Sequence, residues 1–184
     1  MIKTFIALSA AWSTTATAAA PTWVVERGST LGFRASVNGE TVVGRFDKWS
    51  AAIRFDPRNP ATSSVVVLIA SGSARTGDAQ RDQSLYDTDW FSVRAFPRAT
   101  FRSTSIRALG GGRYVANGTL QIRSVERPVS LPFTLSIAGV QAKMQASLTI
   151  DRRAFAVGQG PFAATDTVAA NVRIDVNLTA RRQK

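Results

Sequence analysis

Histidine and cysteine are both absent from this chain of 184 residues, and that absence removes much of the catalytic inventory. Without them there is no Cys–His or Ser–His nucleophile pair, no His-ligated zinc, no haem held by His and no cysteine-held iron–sulfur cluster. Disulfides are excluded too, so stability has to come from packing and strand pairing. Ser, Lys, Tyr and carboxylates remain, a balance that favours a binding protein over an enzyme. Acidic residues are scarce as well: 12 Asp and Glu stand against 23 Lys and Arg, a formal net charge of +11. Nineteen of the basic residues are Arg, dispersed along the chain. They read as a solvated outer face, with attraction to an anionic membrane or lipid headgroup as the sharper alternative. No recognition-helix or RNA-platform motif is present, so nucleic acid is not an expected partner.

Residues 1–18 read as a secretory signal peptide. Lys3 precedes a short apolar run from Phe5 to Trp12, and Ala16-Thr17-Ala18 offers the small-x-small cleavage site, with Ala20 as the nearest alternative. That run is too short to span a bilayer, and no later segment is long and apolar enough to anchor in one. Loss of Lys3 with the leader lowers the charge to +10. Residues 21–184 are expected to form one exported domain of about 165 residues, enough for a substantial core.

Period-two alternation dominates this mature chain. Leu31, Phe33, Ala35 and Val37 alternate with Gly32, Arg34 and Ser36, and Asn38-Gly39 signals a hairpin before a second strand over 41–46. A third strand ends at Ile53 and Phe55, before Asp56-Pro57. Residues 65–70 form a continuous, largely β-branched run, the mark of a more buried fourth strand. Four more strands follow over 99–106, 113–122, 129–137 and 143–151, and a last one over 168–180. Asn117-Gly118 is read as internal to one strand, with a close backbone approach at Gly118, and Pro132 as an edge or a bulge. Long alternating strands without crossover helices mean an antiparallel barrel or sandwich. Runs of about 10–13 residues at about 3.3 Å each suit a tilted barrel wall. One segment departs from the pattern: a polar, helix-like insertion over 77–87, followed by Trp90-Phe91 and Phe96-Pro97. Function is expected there, since binding is commonly carried by loops on a rigid sheet.

An ordered set of residues then resembles the YceI-like family. It comprises Trp23 with the 29–33 strand, Gly44-Arg45-Phe46, Ile53-Arg54-Phe55-Asp56-Pro57, Thr76-Gly77 followed by Arg81-Asp82 and Leu85, Trp90-Phe91, Phe96-Pro97 with Ala99-Thr100-Phe101, Gly118-Thr119-Leu120 and Pro128-Val129. The resemblance runs from about Trp23 to Ala180. It implies an extended, eight-stranded, lipocalin-like antiparallel β-barrel, all-β apart from the short helical insertion. It also implies an exported bacterial, hence periplasmic, protein that binds a polyisoprenoid lipid such as an isoprenoid quinone or a polyprenyl phosphate. Trp90-Phe91 and Val157-Gly158-Gln159-Gly160 look most like the branch found beside membrane b-type cytochromes. A side-chain-filled barrel docking such a cytochrome is therefore the alternative to lipid carriage. Many relatives carry His after the Arg-Asp pair and at the end of the first strand; this chain has Gln83-Ser84 and Ser36-Val37 there, so the headgroup contact differs.

For such a guest the expected lumen lining is Phe33, Phe46, Phe55, Phe101, Leu120, Phe133, Leu148 and Ile150. The expected mouth is Arg75, Arg81, Leu85, Trp90 and Phe91, with Asp78 capping the short helix, an Arg81–Asp82 ion pair fixing it, and Trp90-Phe91 covering the opening. Arg75 and Arg81 are candidate partners for a quinone carbonyl or a phosphate. No cofactor or metal is expected beyond the bound lipid. Asp78, Asp82, Asp87 and Asp89 lack the Gly and terminal Glu of a calcium loop. Gly158-Gln159-Gly160-Pro161 lacks the Lys and following helix of a phosphate loop and reads as a turn between the last two strands. A hydrolase built on Asp82 with Asp87 or Asp89 remains a formal possibility.

Overall fold

Alternating side chains of one parity along each strand build the wall. The computed structural model describes residues 19–183, so the leader read over 1–18 lies outside the described residues. The strands are β1 (Thr22–Val25), β2 (Thr30–Val37), β3 (Glu40–Phe46), β4 (Trp49–Arg54), β5 (Ser64–Ala70), β6 (Ala74–Arg75), β7 (Arg98–Gly110), β8 (Arg113–Ile122), β9 (Val125–Ala138), β10 (Gln141–Asp151) and β11 (Asn171–Arg182). Among the described residues a single α-helix, α1 (Ala79–Ser84), lies in the insertion.

Several of these elements are halves of longer ones. β1 and β2 both pair with β11, through Val25↔Ala180 and Thr30↔Asn177, and so form one bent leg. β3 pairs with β2 while β4 pairs with β1, which makes β3 and β4 the second leg of a long hairpin. The turn between the legs puts Asn38 and Gly39 at φ 50° and 82°, the left-handed pair that a tight hairpin turn requires. With β1 bonded to β4 on one side and to β11 on the other, the ring closes as an eight-stranded antiparallel barrel. The sequence pattern misses β1 and the first half of β4, because four to six residues carry too little alternation to register. It starts the last strand too early: Val168 makes an isolated bridge to Val37, and the continuous ladder begins at Asn171.

Two internal irregularities decide which side chains face inward. A register shift between Ser103 and Ser105 changes parity along β7, so Phe101 and Ile106 are both buried. Gly118 is internal to β8, where a Cβ would run into the Phe101 ring and the Ser103 backbone. Pro132 makes no bulge. The Ile122–Val125 pair closes a two-residue turn, so Pro128 and Pro132 direct their nitrogens away from β8 and toward β10. They have no N–H to offer there, and the β9–β10 ladder stops at Phe133↔Ala146. Residues 125–132 and 147–151 are left unpaired with each other.

Strand directions define two ends. The lower end carries the turns at 55–63, 111–112 and 139–140. The upper end carries 38–39, the insertion over 71–97, the β8–β9 turn and the whole of 152–170.

Candidate functional site

Inside the wall runs a cavity of about 150 Å³. Its lining comes from all eight staves and is hydrophobic throughout, from Trp49, Ile69 and Leu148 above to Trp23, Phe55, Ala142 and Ala180 below. Leu148 to Ala142 alone is six steps along β10, about 20 Å of strand at about 3.3 Å each, so the cavity is long and thin. The one polar atom that Trp23 brings to it, Nε1, donates to the Phe55 carbonyl at 2.9 Å. Such a space favours linear hydrocarbon and offers no partner to a polar group.

Phe55, Phe101, Leu120, Phe133 and Leu148 line this cavity; Phe33, Phe46 and Ile150 do not. Phe33 points inward, but its ring lies over Gly44, where a Cβ would strike it. It packs against Phe46 at 5.4 Å between centroids, and Phe46 packs against Phe91 at 6.0 Å. These three rings stopper the upper end. Ile150 packs into the core cluster beside the 3-10 turn Arg152–Phe155, whose Phe155 is buried. Trp23, Leu31, Trp49, Met144 and Val176 line the cavity without having been expected there. Leu31 shares the parity of Phe33, and Met144 that of Leu148, and both were legible on that ground, whereas the two Trp residues lie on the short half-strands.

The insertion is not a free-standing lid. Asp78 caps α1 by accepting from the Arg81 backbone at 2.7 Å. Asp82 does not pair with Arg81; its Oδ1 accepts from both the backbone N–H and the hydroxyl of Thr76, each at 2.7 Å, which closes the entry turn. Those local bonds occupy one carboxylate oxygen, and among the described residues no ion pair to Arg81 forms on the other. Arg75 donates to the Gly72 and Ala74 carbonyls and to the Tyr86 hydroxyl, and Tyr86 hydrogen-bonds the Gly72 carbonyl in turn. The Tyr86 contact holds the Arg75 guanidinium above the ordinary arginine value. Leu85, half-buried, ends α1. Trp90 lies on Phe162 at 5.0 Å. None of Arg75, Arg81, Leu85, Trp90 and Phe91 lines the cavity.

What holds the upper end is a residue that the sequence pattern did not single out. Arg152 is 2% exposed and donates to five backbone carbonyls, those of Val157, Gly158, Ala164, Val168 and Ala169, at 2.7–3.0 Å. Its guanidinium lies 5.8 Å from the Trp90 ring centroid, and burial pulls it below the ordinary arginine value. Arg123, in the β8–β9 turn, donates to the carbonyls of Trp90 and Ala156 at 2.9 and 2.6 Å. The Asp89 carbonyl accepts from Gly158 and Gln159, both at 2.8 Å. The insertion and residues 152–170 are therefore one knot over the same end of the barrel. Arg152 was not foreseeable from composition, because an arginine is exposed by default. Among the described residues no group of three or more acidic side chains is placed to hold a metal ion.

A family model, described as the YceI-like domain, matches residues 23–180. The chain belongs to the YceI-like family. The crystal structure of Burkholderia cenocepacia BcnA superposes with a TM-score of 0.80 at 32% identity, over 82% of this chain and 95% of that one. A polyisoprenoid binding domain from Saccharophagus degradans superposes with a TM-score of 0.70 at 16% identity, over 89% and 99% of the two chains. At that identity it speaks to the fold alone. A curated relative, a UPF0312 protein of Yersinia pestis (strain Pestoides F), is 36% identical over 96 residues, which is 52% of this chain and 50% of that protein. The match thus spans about half the length of that relative.

Proposed function

We propose that this protein is an exported, periplasmic carrier that sequesters an isoprenoid lipid, a quinone or a polyprenyl phosphate, in the barrel lumen and performs no reaction on it. The observation that carries this reading is the cavity: elongated, continuous along the barrel and lined by hydrophobic side chains alone. Hydrocarbon gains about 0.8 kcal/mol per buried CH₂, so about fifteen sequestered carbons supply nominally about 12 kcal/mol before ordering costs. Few polar anchors are needed for a guest bound that way. The Saccharophagus domain, described as polyisoprenoid binding, is an instance of this fold with that ligand class. A lumen that retains space favours carriage over docking of a membrane cytochrome by a filled barrel.

Two further parts belong to this reading. Residues 1–18 act as a cleaved leader, which delivers the mature chain to the periplasm. Its Arg-rich outer wall makes reversible contact with anionic membrane, where a lipid cargo is exchanged. Mass spectrometry of organic extracts of the purified mature protein tests the central claim. The expected finding is a prenyl lipid in near-stoichiometric amount, or uptake of one by stripped protein. Failure to take up any prenyl lipid after stripping would overturn it.

A further inference from the structure

On the outer wall a hollow of about 640 Å³ crosses β8 to β11 and reaches Leu109 on β7 and Arg34 on β2. Three arginines, Arg34, Arg113 and Arg173, border it with one carboxylate, Asp175, and with neutral donors including Gln145 and Asn177. Asp175 is shared between Arg173 at 2.8 Å and Arg34 at 3.4 Å, so the cluster keeps two positive charges in excess. Arg113 makes only a long contact, 3.4 Å from its Nε to the Gly110 carbonyl.

The position of this hollow matters more than its charge. Pro132 and Ser147 border it, and they are the first residues past the last rung of the β9–β10 ladder, Phe133↔Ala146. The next residues inward on those strands, Leu131 and Leu148, line the lumen cavity. The parting in the wall thus has the apolar cavity on its inner side and guanidinium groups on its outer side. The two prolines keep it open, since β9 has no N–H at 128 or 132 with which to extend the ladder.

We propose that the isoprenoid chain leaves the lumen sideways between β9 and β10, and that the outer hollow with Arg34, Arg113 and Arg173 holds an anionic, phosphate-type headgroup. This rests on the carrier reading and selects within it: a neutral quinone ring has no use for a surplus of guanidinium forks, whereas a phosphate monoester or diphosphate matches them in charge and geometry. The upper end is an unsuitable exit, because Arg152, Arg123 and three mutually tilted rings close it.

The test uses mature protein with three probes: geranylgeranyl phosphate, geranylgeraniol and inorganic phosphate. In Arg113→Gln/Arg173→Gln, affinity for geranylgeranyl phosphate falls about tenfold or more, affinity for geranylgeraniol stays within about twofold, and inorganic phosphate competes weakly with either. Arg98→Gln/Arg102→Gln, the same loss of two charges on β7, leaves all three unchanged. The absence of native cysteine allows a positional arm. Geranylgeranyl phosphate shields Gln145→Cys, in the hollow, from alkylation, but neither Gln80→Cys on α1 nor Val24→Cys, where the legs of the first hairpin also part. Equal losses for the phosphate and the alcohol, strong competition by inorganic phosphate alone, or shielding at Gln80→Cys or Val24→Cys each overturns the lateral site while leaving carriage intact. If wild-type protein binds neither lipid, the carrier reading falls and this inference falls with it.

Discussion

The two ends of the barrel are built on opposite principles. Below the upper end, long ladders surround hydrophobic side chains that leave a hollow, so a guest there would replace missing contacts. Above the last rungs of the ladders, the irregular chain of the insertion and of 152–170 is held instead by hydrogen bonds from two arginines to seven carbonyls. A barrel that must keep its lumen empty cannot stabilise itself by filling it. Here the stabilising contacts are displaced to a polar knot at one end, and the wall is left free to part elsewhere.

The largest expected effect breaks that contrast at the knot. Arg152→Leu removes five donors at once and leaves buried carbonyls unpaired at about 1–3 kcal/mol each, with partial relaxation. A loss of at least about 4 kcal/mol is expected, read as a fall in the urea midpoint at unchanged slope. Arg152→Lys should not rescue it, because an ammonium cannot reach carbonyls arranged around a planar fork. A loss below about 1 kcal/mol in Arg152→Leu would show that the 152–170 segment is held by its apolar contacts and not by the knot.

The lumen side is sharpened by filling it. Ala116 is buried and lines the cavity; in a well-packed core Ala116→Leu would cost about 1–3 kcal/mol by overpacking. Into existing space it should cost less than about 1 kcal/mol while lowering isoprenoid affinity about tenfold or more, since the added methyls occupy the guest's volume. Phe101→Arg should abolish uptake whereas Arg102→Ala, on the opposite face, should spare it, with circular dichroism recording whether the Phe101 variant still folds. A destabilised Ala116→Leu with undiminished binding would mean that lipid sits elsewhere.

Legibility in the sequence follows the same division. The wall could be read because inward and outward positions alternate over ten or more residues in β8 to β11, and because Asn38-Gly39 has one conformational meaning. Five of eight expected lining residues face the cavity for that reason. Phe33 and Phe46 failed because parity tells which way a side chain points and not what already fills the space it points into. The knot was illegible. A buried arginine satisfied by backbone carbonyls has no partner residue type to betray it, and Arg152 sits in an ordinary-looking Asp-Arg-Arg run. Trp90-Phe91 read as a cover for the opening; their partners, Phe162 and Phe46, are 72 and 45 residues away in the chain.

Hydrogen exchange offers a smaller, more local comparison. If the knot stays shut and the wall parts, loading with isoprenoid should slow exchange over 125–132 and 147–151 by about tenfold, and alter 77–91 and 156–165 by less than about threefold. The unpaired edges are the segments whose opening a guest would oppose. Protection confined to 77–91 would instead make the insertion a working lid and restore the upper end as the mouth.

Acid titration should give the smallest difference between the two regions. At the upper end Asp151 pairs with Arg153 at 2.8 Å, and on the wall Asp175 pairs with Arg173 at 2.8 Å. The hydrogen bond from Arg153 holds Asp151 below its ordinary value, and that from Arg173 does the same for Asp175. A carboxylate whose folded value is depressed adds stability above its unfolded value, near about 3.9, and loses it as pH falls through the lower folded one. Both side chains are partly solvated, at 37% and 21% exposure, so each contributes less than about 1 kcal/mol. Stability should therefore be flat from about pH 5 to 8 as far as these groups decide it, and decline only below about pH 4. Asp175→Asn should remove its share of that decline at little cost and, by releasing Arg34 and Arg173, tighten the binding of a phosphate-bearing isoprenoid about two- to fivefold. Asp151→Asn should change the acid limb alike and leave that affinity alone, so a gain in both variants, or in neither, would separate the wall's charge from any role in holding a headgroup.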